Sequence, residues 1–459
     1  MGKKVVIIGG GPGGYPAAFL LAQSGADVTL IEKGRLGGTC LNKGCVPTKV
    51  LLHAVNVMRE MKNSHKLGIT VRGFDFNFLE LTKRKDEIVS SLVGGLERLC
   101  STRKVRLIQG TGFFETARKV RLKETGQTFE GDAILIATGS FPAELPLISG
   151  YDKNVMTSDD ALRLKEVPPS IVIIGGGYIG LEFAQIFNML GTDVTVVEML
   201  RQILPSEDGD IASALRSALT QEGIKIFTGA NVERVAERGK LRLVRFAADG
   251  QHYEIETTLV LMSVGRHPNT ANLGLEKVGV KTDKGRIMVN DRMETTTNGI
   301  YAVGDAIGGI MLAHVATAEG ITAANSILGN NKYGMDYGAI PRCIYTYPEV
   351  ACVGLTESQA REMYPNITVT RSPLQATAKA RIIDGNGFVK MISEKRHNRV
   401  VGVHLVGPCV TELIAESTLA LNLECTSEEI AFTVHPHPTI SEVMMEVALG
   451  ANGLGIHNA

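Results

Sequence analysis

Two cysteines, Cys40 and Cys45, stand five residues apart in the stretch Gly37-Gly38-Thr39-Cys40-Leu41-Asn42-Lys43-Gly44-Cys45-Val46-Pro47-Thr48-Lys49. On a glycine-rich entry into a helix, two thiols at this spacing can close a small ring whose disulfide is reducible rather than structural. Buried packing, or half of a metal site, are the other uses that the pair alone permits. Far downstream lies His435-Pro436-His437-Pro438-Thr439-Ile440-Ser441-Glu442. A proline after each histidine holds the backbone extended ahead of a helix, here expected from about Thr439 to Leu449. An imidazole fixed in this way can serve as a general base, oriented by a carboxylate such as Glu442. The same residues would also suit a turn in which the prolines only start the helix. His435 and His437 could ligate a metal, but no acid or cysteine cluster completes a set, so no metal is expected.

The elements that must position the thiols begin at the first residues. Lys4 to Gly9 is a β-branched run entering Gly9-Gly10-Gly11-Pro12-Gly13-Gly14, followed by a helical stretch from Ala17 to Ser24 and a second strand from Val28 to Ile31. Gly9, Gly11 and Gly14 match G-x-G-x-x-G, which allows a tight turn, close approach of backbone to a pyrophosphate, and close packing of helix on strand. Glu32 ends the second strand, where its carboxylate could bind both hydroxyls of a ribose. Pro16 is tolerable only in the first helical turn, where its missing N–H is not required.

The signature recurs at Gly175, Gly177 and Gly180, between the strand Ile171 to Ile174 and the helix Leu181 to Leu190, and Glu198 ends the next strand, Val194 to Val197. The repeat is an internal duplication, so two dinucleotides are expected. An acid at Glu198 accepts hydrogen bonds from a free ribose 2′-hydroxyl and repels a 2′-phosphate, which favours NAD over NADP; Arg201 weakens that inference slightly.

Further buried-strand runs stop at glycines: Ala133 to Ala137 before Thr138-Gly139-Ser140, Leu259 to Met262 before Gly265-Arg266, and Ile300 to Val303 before Gly304-Asp305. Backbone can approach a ligand at each. Asp305 is placed to bond a sugar-alcohol chain, or to cap the helix expected over Leu312 to Leu328. Phe141 to Pro146 and Gly265 to Pro268 read as connections into and out of the second nucleotide unit. From about Tyr337 the pattern becomes strands (Ile340 to Tyr347, Gly387 to Ile392, Arg399 to Val406) followed by a helix from Glu412 to Asn422. The fold class is therefore α/β, with two Rossmann-like domains and an α+β C-terminal domain.

Composition agrees with several cores. The chain has 459 residues, 44% of them hydrophobic and 21% charged, with 48 basic and 48 acidic side chains. Balanced charge without long single-sign blocks gives no footprint for nucleic acid or an anionic membrane. Ile171 to Leu190 is the run nearest to transmembrane length, but it contains Glu182 and four glycines. The glycine cluster after Ile8 argues against an export signal. Seven cysteines, an odd number, do not form a secreted disulfide framework, and a cycling dithiol suits a reducing, cytoplasmic compartment.

Taken together, these motifs resemble the dihydrolipoamide dehydrogenases of the pyridine nucleotide-disulfide oxidoreductase flavoprotein family, which includes glutathione reductase. The likeness runs from Val5 to about Val447, carried by Gly37 to Lys49, both glycine signatures, Ala302 to Asp305, Leu312-Ala313-His314, Tyr345 to Gly354 and His435 to Glu442. It implies FAD at the first nucleotide unit and NAD at the second. It also implies a homodimer in which His437 and Glu442 complete the partner's site. Residues 1–145 and 265–335 would form the FAD-binding domain, residues 146–264 the NAD-binding domain, and residues 336–459 the interface domain. Cys40 corresponds to the family's exposed thiol, which forms a mixed disulfide, and Cys45 to the inner thiol beside the flavin. Lys49 and Glu182 correspond to a buried charged pair. The helix beginning near Leu312 corresponds to one that the family aims at the flavin's pyrimidine end.

The implied partner is a lipoyl-bearing protein of a 2-oxo acid dehydrogenase or glycine-cleavage complex, docked on the folded surface because no lipoyl domain precedes Lys3. Reduction of another low-molecular-weight disulfide, or a non-catalytic flavoprotein module, are the rival readings. The tail Gly450 to Ala459 lacks the cysteine pair expected of a mercuric reductase. Three positions depart from the family pattern: Lys43 between the thiols, Pro436 between the histidines, and His267 where arginine is frequent. Lys43 is expected to lower a thiol pKa.

Overall fold

A computed structural model describes residues 2–143, 145, 155–330, 332 and 334–457. Pro146, where the second domain was drawn to begin, lies outside the described residues, as do residues 458–459 of the tail.

Runs of Val, Ile and Leu buried on both faces build a first parallel sheet, in the order Ile300–Ala302, Ala133–Ile136, Lys4–Ile8, Asp27–Glu32, Arg106–Gln109. Its central strand is almost wholly enclosed from Val5 to Ile8, as parallel strands covered by helices must be. The second parallel sheet repeats the arrangement, in the order Lys225–Phe227, Asp193–Val197, Ser170–Ile174, Leu259–Met262, Val155–Thr157. In each, the glycine turn leaves the central strand and enters a helix, Gly14–Gln23 or Tyr178–Met189. Pro16 falls in the first turn of its helix.

The duplication extends beyond the signatures. Each parallel sheet is followed by a three-stranded antiparallel meander, Gly112–Thr116, Lys119–Leu122 and Thr128–Glu130 in one case, and Asn231–Arg238, Leu241–Ala248 and Gln251–Thr257 in the other. The chain then returns to the strand beside the central one. The glycine turns match bond for bond: the Gly9 N–H donates to Ile31 O at 2.8 Å and the Gly175 N–H to Val197 O at 2.9 Å. The strands Ser140–Pro142 and Arg266–Pro268 pair antiparallel and join the two units.

The C-terminal part is a five-stranded antiparallel sheet, in the order Arg342–Ile344, Glu349–Gly354, Val400–Gly407, Phe388–Glu394, Ile367–Pro373, packed against the helices Val410–Asn422 and Glu442–Ala451. The last helix starts three residues later than expected, because the Glu442 carboxylate accepts the Thr439 N–H at 3.0 Å and holds Thr439 to Ser441 in a turn ahead of it. Among the described residues, no helix is long and apolar enough to cross a membrane, and no cluster of His, Cys, Asp and Glu could hold a metal.

Candidate active site

The thiols sit on two short consecutive helices. Gly38–Lys43 carries Cys40, and Cys45 opens the helix Cys45–Asn63. Between them Gly44 adopts φ −143° and ψ −112°, and a Cβ there would lie 3.0 Å from Thr39 O and 3.3 Å from Cys40 Cα. Only a residue without a side chain lets the second helix start this close to the first. Cys40 and Cys45 are free thiols joined by a hydrogen bond. That bond, with support from the Lys49 ammonium and against the opposing effect of burial, lowers the Cys45 pKa to about 7. The same bond, together with burial, pushes Cys40 up. Both line one cavity of about 770 Å³. Cys40 is half-buried, and Cys45 is exposed where it lines the cavity.

Lys49, one turn beyond Cys45, donates to both carboxylate oxygens of Glu182, at 2.9 and 2.7 Å. Glu182 is 3% exposed and also accepts the Tyr345 N–H at 3.1 Å. Lys49 is 33% exposed and lines the cavity. Glu182 stands on the helix of the second glycine signature, but it lines the same cavity as the thiols, because that helix packs on the Cys45–Asn63 helix. Lys43 forms an ion pair with Asp159 at 2.5 Å. Its charge is thus directed away from the thiols, and the cation that lowers Cys45 is Lys49.

The cavity extends from the thiols along the first glycine turn. Gly9, Gly11, Glu32, Thr138, Gly139, Gly304, Asp305 and Ala313 all reach it. Gly14 does not, because it packs helix on strand: a Cβ there would lie 1.9 Å from Gly9 O. Glu32 accepts the Gly10 and Gly34 N–H groups, each at 2.7 Å. One more lone pair on each oxygen can then take a ribose hydroxyl. At Gly38, φ is +59° and a Cβ would lie 2.6 Å from Gly11 Cα, so two glycine backbones form one cradle wall. Thr138 Oγ1 is buried there without a hydrogen-bond partner. The helices Gly14–Gln23 and Ala313–Leu328 carry no acid in their first turns, and their positive ends remain available to an anion. An elongated, phosphate-bearing dinucleotide fits this donor set.

Asp305 does not cap the Ala313–Leu328 helix, whose N-terminus has no side-chain cap. It accepts a hydrogen bond from Ser140 Oγ. Arg266 Nε in turn donates to Ser140 Oγ at 2.7 Å. This triad crosses the ribbon that joins the two units. Tyr178, at the head of the second glycine helix, also lines the cavity; burial and Asp305 push its hydroxyl up to about 12. Ser140, Arg266, Gly38 and Gly44 stand in stretches that the sequence picks out without giving them a role of their own, and Tyr178, inside the second signature, could have been found there.

The second glycine turn is separate. Gly175 has φ +110°, and a Cβ on it would lie 2.4 Å from Ser263 O. On Gly180 a Cβ would meet Gly175 O at 2.1 Å, while one on Gly177 or Gly265 would meet nothing within 4 Å. Glu198 accepts the Gly176 and Leu200 N–H groups at 2.5 and 2.7 Å, as Glu32 does in the first unit.

His437 Nδ1 lies 2.9 Å from Glu442 Oε1. Although burial pushes the Glu442 carboxyl up, the bonds from His437 and the Thr439 N–H hold it below its ordinary range. His437 is 70% exposed, and no lining residue of the thiol cavity comes from residues 334–457. Within one chain the structure therefore leaves His437 and Glu442 apart from the thiols.

Residues 3–320 match the model of the pyridine nucleotide-disulphide oxidoreductase family, and residues 340–448 match that family's dimerisation domain. The chain belongs to this family. A dihydrolipoyl dehydrogenase of Bacillus subtilis (strain 168) is 39% identical, covering 99% of this chain and 98% of that one. Among solved structures in the family, LpdA from Mycobacterium tuberculosis superposes with a TM-score of 0.90 at 29% identity, covering 97% of this chain and 99% of that one. The Cu(II) complex of the HOCl-induced flavoprotein disulfide reductase RclA from Escherichia coli gives a TM-score of 0.87 at 29% identity, covering 98% and 99%. The chain is thus a flavoprotein disulfide oxidoreductase, and its family typically binds FAD and NAD(P).

Proposed function

We propose that the chain is an NAD-dependent dihydrolipoyl dehydrogenase that oxidises protein-bound dihydrolipoamide through Cys40 and Cys45. The observation that carries this reading is the hydrogen-bonded thiol pair, with Cys45 lowered to about 7 beside Lys49, in a chain that also carries an oriented His437–Glu442 pair. FAD would be held by the Gly9–Gly14 turn, Glu32, Thr138, Gly139, Gly304, Asp305 and the head of the helix at Ala313. NAD would be held by Gly175, Gly177, Gly180, Gly265 and Glu198. The domains follow as 1–145 with 265–335, 146–264 and 336–459. The match of residues 340–448 to the family's dimerisation domain supports a homodimer, in which His437 and Glu442 would serve the partner's thiols.

With the pair oxidised, His437 Nε2 takes the proton of a substrate thiol while its Nδ1–H stays on Glu442. The resulting thiolate attacks Cys40 Sγ; a substrate–Cys40 bond forms, and Cys45 leaves as a thiolate held by Lys49. The second substrate thiol then displaces Cys40: His437 gives its proton to the leaving Cys40 sulfur and takes the proton of the second thiol in exchange. The substrate has lost two electrons and the cysteine pair has gained them. Bound FAD would supply the two-electron exchange between this dithiol and the nicotinamide. A cycling dithiol fits a reducing, cytoplasmic setting. The lipoyl group would arrive on a 2-oxo acid dehydrogenase or glycine-cleavage carrier.

The deciding experiment compares NAD-dependent oxidation of dihydrolipoamide with NADPH-dependent reduction of glutathione disulfide. The first should be faster by orders of magnitude, and dominance of the second would overturn the reading.

A further inference from the structure

In the turn from Phe432 to Pro438 every residue but His435 is exposed, Val434 reaching 93%. The His435 side chain is only 4% exposed and is the one side chain of the turn that turns inward. Its Nδ1 lies 2.8 Å from Thr433 O and its Nε2 lies 3.0 Å from Glu416 Oε1. A backbone carbonyl and a carboxylate only accept, whereas a neutral imidazole has a single N–H to give. Making both bonds requires both ring nitrogens to be protonated. The charged groups facing His435 are Glu416, from the Val410–Asn422 helix, and Glu442, from the head of the last helix; both favour the cation.

We propose that His435, held as an imidazolium between Thr433 O and Glu416, is a positioning residue that fixes the turn so that His437 stays aimed with Nδ1 on Glu442. His437 and Glu442 lie two and seven residues beyond His435, and Thr439 Oγ1 closes the turn between them onto Pro436 O at 2.7 Å. Rotation of an unanchored turn would move His437 away from Glu442 without altering any group of the thiol cavity. The catalytic consequence rests on the role proposed for His437; the protonation state of His435 does not.

The test uses holoenzyme labelled with ¹⁵N-histidine, with His435→Gln to assign the signal. In the unsubstituted protein, both His435 ring nitrogens should remain protonated from about pH 6 to about pH 8, the range in which an ordinary imidazole discharges. In Glu416→Gln, His435 should become neutral within that range and the hydrogen-bonded Nδ1 proton of His437 should be lost. Dihydrolipoamide oxidation should fall about 10- to 100-fold, more at alkaline pH, as expected for a misplaced base. Oxidation of NADH by ferricyanide, which needs no thiol, should be kept. Should Glu416→Gln fold poorly, the shorter carboxylate of Glu416→Asp should give a graded shift of the same signals. An ordinary titration of His435 in the unsubstituted protein, or an unmoved His437 signal and pH profile in Glu416→Gln, would overturn the proposal. If the unsubstituted protein does not oxidise dihydrolipoamide, the proposed function fails while the two histidine signals still decide this inference.

Discussion

Lys49 Nζ bridges both carboxylate oxygens of Glu182, at 2.9 and 2.7 Å, and so ties the helix that opens on Cys45 to the helix that opens on the second glycine turn. The pair therefore has two consequences. It anchors one nucleotide unit to the other, and it brings a cation to the thiols from the half-exposed side of a buried carboxylate.

The electrostatic consequence is a thiolate at Cys45. Its pKa is lowered to about 7, so the thiolate is present above that pH and is lost as pH falls through it. In the dithiol form, ultraviolet thiolate absorbance should rise through the same range and vanish in Cys45→Ser. Cys40→Ser and Lys49→Met should each move the transition to higher pH. Lys43→Ala should leave it in place, because Lys43 pairs with Asp159.

Lys49→Met leaves the Glu182 carboxylate buried with only the Tyr345 N–H. Chemical denaturation should register a loss of about 1–2 kcal/mol, less than the usual cost of breaking a fully buried pair, because Lys49 is partly solvated. An unchanged midpoint would show that the pair contributes nothing to stability.

His437→Gln removes the base but keeps a side chain able to bond Glu442. Dihydrolipoamide oxidation should slow by about 100- to 10,000-fold, with the flavin still bound and still reducible by NADH. Equal loss of both reactions would point to a folding defect instead.

At Gly38, where φ is +59°, a Cβ would meet Gly11 Cα at 2.6 Å. Gly38→Ala should therefore be purified with little flavin, visible as lost yellow absorbance, while its far-ultraviolet circular dichroism remains that of a folded α/β protein. Full flavin content would show that the cradle wall does not matter.

Glu198→Ala frees the Gly176 and Leu200 N–H groups and removes the carboxylate from the second unit. The KM for NAD should rise about tenfold or more, as for a lost bond to a charged group. That for NADP should change little, so the preference narrows.

The parts of this site that can be read from sequence are those in which local spacing carries the physics. Both glycine turns, the acids Glu32 and Glu198, the thiol pair and the His437–Glu442 pair are all of that kind. What escaped depends on contacts between distant segments. Lys43 reads as a neighbour of the thiols until Asp159 is seen to draw it away. Asp305 reads as a ligand for a sugar-alcohol chain or as a helix cap, and nothing local tells that Ser140 and Arg266 meet it across the ribbon. The antiparallel meander over Asn231–Thr257 is rich in charged residues, which hides its strand pattern beside the continuous apolar runs of the parallel sheets. The late start of the last helix depends on which N–H the Glu442 carboxylate takes, a choice that residue type alone does not make.

The bond-for-bond repetition of the two glycine turns also bears on ancestry. Two copies of one ancestral segment have kept the same backbone donors on the same carboxylate, Gly10 and Gly34 on Glu32, Gly176 and Leu200 on Glu198. They have diverged just past the acid, where one copy retains Gly34 and the other presents an exposed Met199 and Leu200. Inheritance has been strict where the main chain is the reagent and permissive where side chains meet the visitor. Each half of the molecule can thus serve as the internal reference against which the specialisation of the other is measured.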